Sequence, residues 1–224
     1  MTEGLASRLQ HTNVRPEATR EDVERLLSEC LEHGFDGAMV NPIWVPLAAD
    51  VLRGSSVHVC TALDFPMGGG TTGSVAAAAG EVRGLGADQI DVMTRPGWLR
   101  SGMEAEYREH LAAVVAAAEG APVKAMLEAA LLTDDELARA VELCVEAGVA
   151  WIKNSSGFGG GDATPALVGR LYSLAAGRVR VKASGGIRSG ERARALLDAG
   201  AELLGSSASV SILAGLGPAE PGAY

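Results

Sequence analysis

Residues 179–188 read Val179-Arg180-Val181-Lys182-Ala183-Ser184-Gly185-Gly186-Ile187-Arg188. This is a short, largely apolar run that carries one lysine near its end and then breaks into serine and glycine. An earlier run has the same plan and reads Trp151-Ile152-Lys153-Asn154-Ser155-Ser156-Gly157-Phe158. A β-strand that delivers an amine to an active site would have this pattern. Two lysines on two such strands therefore suggest amine chemistry.

Eight short apolar runs alternate with longer helical patterns along the chain, which is typical of parallel βα units. The predicted strands are Leu9–Asn13, Gly37–Asn41, Val57–Asp64, Gln89–Thr94, Val123–Ala129, Ala150–Ser155, Arg178–Ser184 and Leu203–Ser206. Eight such units close most simply into an α/β fold of the (β/α)8 TIM-barrel type, and a doubly wound open sheet is the alternative. We assign residues 1–213 to a single barrel domain and residues 214–224, which are rich in Gly and Pro, to a flexible C-terminal tail.

The helices carry recognisable start signals. Thr19 is the predicted N-cap of a helix that runs to His33, and Thr133 opens a capping box for a helix that runs to Ala147. Ser189 is the predicted cap of a helix that ends at Ala199. These signals support the alternation of strands and helices.

Composition excludes several classes of function. The 224 residues carry a formal net charge of -9 with a pI near 5.0, which argues against nucleic acid or an anionic membrane as a partner. The three scattered cysteines, Cys30, Cys60 and Cys144, lack metal spacing and are predicted to be reduced core thiols. The segment 1–20 has no apolar targeting region, and no stretch approaches the length of about 18 apolar residues that a membrane span needs. We expect a cytoplasmic protein.

Strand alternation predicts which side chains face the barrel interior. In the run 179–184 the valines and Ala183 suit the helix layer, which leaves Arg180, Lys182 and Ser184 facing in. The same parity applied to the other strands collects six charged residues in the interior: Asp91, Lys124, Glu128, Lys153, Arg180 and Lys182. Such a set forms either an internal ion-pair network or a catalytic site, and its placement near the carboxyl ends of strands favours catalysis.

The chemistry of lysine makes this set informative. A nucleophilic lysine must be neutral, although an unperturbed lysine has a pKa of about 10.4, and burial or a second ammonium group nearby favours the neutral form. Lys153 and Lys182 lie on successive predicted strands and so become neighbours in the barrel wall. With Asp91 as a proton shuttle, the pair is suited to imine formation, enamine generation and the making or breaking of carbon–carbon bonds.

The chain resembles the deoxyribose-phosphate aldolases, which are class I (Schiff-base) aldolases with a (β/α)8 fold. The resemblance extends along nearly the whole chain and is specific when its motifs are taken together. They are His11-Thr12, Pro16-Glu17-Ala18-Thr19, Val40-Asn41-Pro42, Phe65-Pro66-Met67-Gly68, Gly86-Ala87-Asp88-Gln89-Ile90-Asp91-Val92, Leu127-Glu128, Leu131-Leu132-Thr133 and the two lysine runs quoted above.

The resemblance implies a role for each candidate residue. Lys153 would form the Schiff base, Lys182 would tune it, and Asp91 would be the acid/base residue working through water. Phosphate would bind at backbone N–H groups and hydroxyls that follow the sixth, seventh and eighth strands, where helix N-termini favour an anion; these residues are Gly157, Gly185, Gly186, Gly205, Ser206 and Ser207. Tyr224, the last residue, could fold over the site and move a proton.

The reaction implied by the resemblance is reversible cleavage of 2-deoxy-D-ribose 5-phosphate to acetaldehyde and D-glyceraldehyde 3-phosphate, with no metal or organic cofactor. A homo-oligomer, most simply a dimer, is expected. Two alternatives stay open: a Schiff-base aldolase with another acceptor aldehyde, and a non-catalytic barrel that binds phosphosugars. The sequence does not decide the acceptor, because it departs from the family pattern at several positions, namely Gln10, Met39, Asp64, Val75, Thr94-Arg95-Pro96, Asn154 and Ser156.

Overall fold

The computed structural model describes residues 4–215. Eight parallel strands close into a barrel in the order of the sequence. The strands are β1 (Leu9–Asn13), β2 (Gly37–Val40), β3 (His58–Leu63), β4 (Gln89–Met93), β5 (Val123–Met126), β6 (Trp151–Lys153), β7 (Arg180–Ser184) and β8 (Leu203–Ser206). The predicted TIM barrel is confirmed.

Helices follow every strand and cover the outside of the barrel. They are α1 (Arg20–His33), α2 (Val45–Val51), α3 (Thr72–Gly84), α4 (Pro96–Arg100), α5 (Glu104–Ala117), α6 (Asp134–Glu146), α7 (Pro165–Ala175), α8 (Gly190–Asp198) and α9 (Ser209–Ala214). The predicted caps are present: Thr19 and Thr133 each form a capping box, and the Ser189 side chain accepts a hydrogen bond from the Arg192 N–H. These caps satisfy N–H groups that the first helical turn leaves without partners.

Five strands end earlier than predicted: β2, β3 and β4 by one residue each, and β5 and β6 by more. Local geometry explains the two larger differences. Strand β5 stops at Met126, and Glu128 beyond it has a φ of 50° in the left-handed region, which no strand can continue through. Strand β6 stops at Lys153 because the Asn154 side chain takes over the pairing with the next strand. Asn154 Oδ1 accepts from the Ser184 N–H at 2.8 Å, and Asn154 Nδ2 donates to the Ser184 carbonyl at 2.9 Å.

The core has two layers, as strand alternation predicts. Side chains such as Val179, Val181 and Ala183 pack outward under the helices in one large apolar cluster. A smaller cluster lies inside the barrel and contains Val14, Met39, Cys60, Ala62, Met93 and Met126. The three cysteines are buried and free, as predicted. Of the helices in the described part of the chain, none has the length and apolar character to cross a membrane.

The predicted tail begins inside a helix. Ala214 is the last residue of α9 and Gly215 caps that helix in the left-handed conformation, with a φ of 66°. Tyr224 and the rest of the predicted tail, residues 216–224, lie outside the described residues, so the role assigned to Tyr224 stays a prediction.

Candidate active site

Three lysines and one aspartate meet inside the barrel. The strand register sets Asp91 beside Lys124 on β4 and β5, and Lys153 beside Lys182 on β6 and β7. All four residues share the inward parity of their strands, and each is at least 94% buried, since the most exposed of them, Lys153, has a relative exposure of 6%. The sequence-predicted pair of neighbouring lysines is therefore present.

Asp91 is the common partner of the three ammonium groups. Its Oδ1 accepts from Lys124 Nζ at 3.0 Å, and its Oδ2 accepts from Lys153 Nζ at 3.1 Å and from Lys182 Nζ at 2.9 Å. One carboxylate cannot neutralise three ammonium groups, so the loss of a proton from a lysine in the cluster is favoured.

The pKa values of Lys182 and Asp91 are both shifted in this cluster. The pKa of Lys182 is lowered to about 7, chiefly by burial and in smaller part by the Lys153 and Lys124 ammonium groups, while Asp91 opposes these effects. Burial alone would raise the pKa of Asp91, but the ammonium groups of Lys124, Lys182 and Lys153 outweigh it and hold that pKa well below its usual range. Asp91 is thus ionised at neutral pH, and the pKa of Lys182 lies close to neutrality.

Gln10 completes the surroundings of Lys182. Its Oε1 accepts from Lys182 Nζ at 2.5 Å, and its Nε2 donates to Asp36 Oδ2 at 2.7 Å and to Gln89 Oε1 at 2.9 Å. The amide orientation follows from these partners. Gln10 therefore supplies an acceptor to Lys182 without supplying a charge.

Two of the predicted interior charges lie elsewhere. Arg180 is exposed, because it is the first residue of β7 and its long side chain reaches solvent, where its guanidinium lies 3.9 Å from the centroid of the Trp151 ring. Glu128 is buried beyond the end of β5, and its Oε1 accepts a short hydrogen bond from the Ser156 N–H. The prediction that all six charges collect together is wrong for these two, although Glu128 anchors the loop that follows Lys153.

A cavity opens at the carboxyl ends of the strands, directly above the lysines. Its walls come from six strands and the loops that follow them, and they include Thr12, Met39, Phe65, Lys153, Ser156, Lys182, Ser184 and Ser207. Lys153 and Lys182 both line it, whereas Asp91 and Lys124 lie beneath them with no exposed surface. The two predicted catalytic lysines are thus the charged groups that a molecule in this cavity would meet.

A second cavity, of about 250 Å³, lies next to the first between β1 and α1, and the two share Thr12, Val14 and Ser207. His11 lines only this second cavity, and its Nε2 lies 2.8 Å from Glu29 Oε2. His11 therefore faces α1 rather than the lysines. Within residues 4–215, no group of three or more His, Cys, Asp and Glu side chains could hold a metal ion.

The residues predicted to bind phosphate fall into two groups. Gly205, Ser206 and Ser207 line the lysine cavity, whereas Gly157, Gly185 and Gly186 do not. The Ser206 hydroxyl donates to the Ile187 carbonyl at 2.7 Å and so ties the loops after β7 and β8 together. Gly205 also packs beside Lys182, because a Cβ there would lie at an ordinary contact distance of 3.4 Å from Lys182 Cε.

Sequence reasoning missed the direct partners of the cluster. Strand alternation predicts that Lys124 on β5 faces the barrel interior. It does not predict the contact with Asp91, because that contact depends on the register between β4 and β5. Gln10 stands out in the sequence only as a departure from the family pattern, although its inward parity on β1 is a usable signal.

Two other departures compensate each other. Asp64 has a φ of 57°, a left-handed conformation that Gly and Asn adopt readily and Asp adopts at some cost. Its carboxylate forms a buried ion pair with Arg95, and its Oδ1 accepts from the Gly70 N–H at 2.8 Å. The unusual Asp64 and the unusual Arg95 are therefore partners.

No protein-family model matches the chain. Curated proteins do match it: a deoxyribose-phosphate aldolase from Streptococcus suis (strain 98HAH33) is 43% identical over 207 residues, which cover 92% of this chain and 94% of the relative. The chain therefore belongs to the deoxyribose-phosphate aldolase family. A member from Dictyoglomus turgidum is 39% identical over 213 residues, which cover 95% of this chain and 97% of the relative.

Solved structures of the family agree. The deoxyribose phosphate aldolase from Aeropyrum pernix, described as a unique tetrameric structure, superposes with a TM-score of 0.89 at 33% identity and covers 96% of this chain and 91% of its own. The resemblance seen in the sequence is confirmed at the level of family and fold.

Proposed function

We propose that the protein is a class I aldolase that reversibly cleaves 2-deoxy-D-ribose 5-phosphate to acetaldehyde and D-glyceraldehyde 3-phosphate. The observation that carries the proposal is that Lys153 and Lys182 line one cavity and donate to the same oxygen of Asp91. Membership of the family supports the choice of reaction.

In the cleavage direction, neutral Lys153 attacks the C1 aldehyde of the open-chain sugar to give a carbinolamine. Its hydroxyl takes up a proton and leaves as water, which gives an iminium ion. Removal of the C3 hydroxyl proton breaks the C2–C3 bond, and the bonding electrons move into the iminium group to give an enamine. D-Glyceraldehyde 3-phosphate leaves. Protonation of the enamine carbon and hydrolysis then release acetaldehyde and restore Lys153.

Lys182 is the proton carrier in this scheme. Because its pKa is about 7, it is present in both forms at neutral pH and can accept the C3 hydroxyl proton, through water, and return it to the enamine. Asp91 stays ionised because its pKa is held well below the usual range, so in this scheme it does not itself carry the proton that the resemblance assigns to it. It holds the two amines at 3.1 and 2.9 Å and stabilises whichever of them is charged.

Phosphate would bind at the side of the cavity formed by the ends of β7 and β8. Ser207 lines that side, and α8 begins just after the glycine pair 185–186, so its N-terminus favours an anion there. We also propose that the protein self-associates, since a family member is described as tetrameric. The molar mass in solution, measured by light scattering, tests this point.

Covalent trapping tests the proposed reaction. Borohydride reduction in the presence of acetaldehyde should attach a two-carbon adduct to Lys153, located by peptide mass mapping. Lys153→Met should lose both adduct and turnover, while Lys124→Met is the matched control, because Lys124 contacts Asp91 but not the cavity. Absence of any adduct at Lys153 in the active-site peptide would reject the aldolase and favour a barrel that only binds phosphosugars.

A further inference from the structure

Asp162 lies against Gly186, one of the four glycines assigned to phosphate. Gly186 has a φ of +68°, and a Cβ there would lie 2.4 Å from both Cγ and Oδ2 of Asp162. The carboxylate therefore occupies the space that only a glycine leaves open. An acidic side chain therefore lies beside one of the backbone positions to which the resemblance assigns phosphate.

The segment that carries Asp162 is held on two sides. The Ala163 N–H donates to the Gly185 carbonyl at 3.1 Å, and Arg192 Nη2 on α8 donates to the Ala163 carbonyl at 2.6 Å. On the other side Gly161 packs against Ala130, where a Cβ at Gly161 would lie 2.5 Å from the Ala130 Cβ. The backbone thus brings the carboxylate to Gly186.

The Asp162 carboxylate is unpaired within the described part of the chain. Among residues 4–215, its carboxylate takes part in no ion pair and accepts no hydrogen bond. It is also exposed, so an approaching ligand meets the carboxylate directly. Like charges at contact distance repel by about 1 kcal/mol in water and by more in a partly closed cleft.

We propose that Asp162 is a specificity-determining residue that weakens the hold on phosphorylated substrates and so shifts the enzyme toward unphosphorylated sugars and acceptor aldehydes. The inference rests on the proposed aldolase function. An unphosphorylated substrate carries no charge to be repelled, so only the phosphorylated one loses affinity.

Cleavage of two sugars tests the inference. The ratio of kcat/KM for 2-deoxy-D-ribose 5-phosphate to that for 2-deoxy-D-ribose is measured for the wild-type protein and for Asp162→Asn, which keeps the size of the side chain. We expect the ratio to rise by about fivefold at low ionic strength, which corresponds to one such repulsion. The gain should shrink in high salt, because ions screen an exposed charge.

A matched control removes the same charge elsewhere. Asp198 is the exposed last residue of α8, at the opposite end of that helix from Gly186, and Asp198→Asn should leave the ratio unchanged. Asp162→Gly, which removes the side chain altogether, should raise the ratio at least as much as Asp162→Asn.

The outcomes separate the inference from the proposed function. A wild-type protein that cleaves both sugars, with a ratio that Asp162→Asn leaves unchanged or lowers, overturns the role of Asp162 and leaves the aldolase standing. A wild-type protein that cleaves neither sugar and forms no adduct with acetaldehyde overturns both. A ratio that rises equally in Asp198→Asn also overturns the inference, because the effect would then come from net charge.

Discussion

Lys153 and Lys182 donate to one and the same oxygen, Asp91 Oδ2, at 3.1 and 2.9 Å. The register of β6 against β7 places the two residues opposite each other, so their shared acceptor is built into the barrel wall. Two ammonium groups this close to one carboxylate repel each other, and burial adds to the cost of charging both. The arrangement favours a state in which one amine is neutral.

The lowered pKa of Lys182 predicts the pH dependence of turnover. Its pKa of about 7 is lowered by burial, so the neutral form that accepts the C3 proton dominates above that pH and is lost below it. We expect kcat to rise as the pH increases through about 7. Lys182→Met should remove this limb of the pH–rate profile and lower kcat by about a hundredfold or more. An unaltered limb in the variant would assign the titration to another group.

A substitution at Gln10 should change the pH at which kcat rises. Lys182 is faced by Asp91, Lys124, Lys153, Cys60 and Gln10. Of these groups, Gln10 is an uncharged amide that accepts a hydrogen bond from Lys182, so a charge can be introduced at its position. Gln10→Glu would set a carboxylate where the Gln10 oxygen lies, 2.5 Å from Lys182 Nζ, and raise the pKa of Lys182.

The limb of the pH–rate profile should therefore move to higher pH by about one unit or more in Gln10→Glu, so that kcat at pH 7 falls. Gln10→Leu is the control, because it also breaks the hydrogen bond to Asp36 but adds no charge. A limb that moves upward equally in Gln10→Leu would show that packing, rather than charge, sets the pKa.

Asp91 predicts an effect on stability that is separate from catalysis. Asp91→Asn would leave the ammonium groups of Lys124, Lys153 and Lys182 buried without a counter-charge. We expect the free energy of unfolding at pH 7, measured by urea denaturation, to fall by about 3 kcal/mol or more. Lys124→Met should cost clearly less, since it leaves Asp91 paired. Equal losses in the two variants would contradict this account of the cluster.

Much of the fold follows from the sequence because its signals are local. Strand alternation separates Lys182 from its neighbours Val181 and Ala183, and the structure places them on opposite faces as expected. A helix cap such as Thr133 is also local, because its hydroxyl accepts a hydrogen bond from the N–H of Glu136, only three residues further along the chain. Such patterns do not depend on any distant part of the chain.

The details of the site were harder to predict because they depend on long-range register and loop paths. Parity puts Arg180 on the inward face but does not reveal that the first residue of a strand reaches solvent. The contact between Asp162 and Gly186 joins two loops, and neither loop has a periodic pattern. The pairing of Asp64 with Arg95 likewise requires the left-handed turn at Asp64, which no local signal announces.

That pairing yields a last prediction, on the coupling between two departures from the family pattern. The side chains of Asp64 and Arg95 are only 10% and 7% exposed, so removal of one leaves the other as an uncompensated buried charge. Arg95→Met should lower the free energy of unfolding by about 3 kcal/mol. Asp64→Asn should relieve part of that loss when it is combined with Arg95→Met, because Asn tolerates the left-handed conformation and can still accept from the Gly70 N–H. The double-mutant cycle, measured by urea denaturation, should therefore give a coupling energy of about 1 to 3 kcal/mol. If the two losses in stability were strictly additive, the ion pair would contribute nothing beyond its separate side chains.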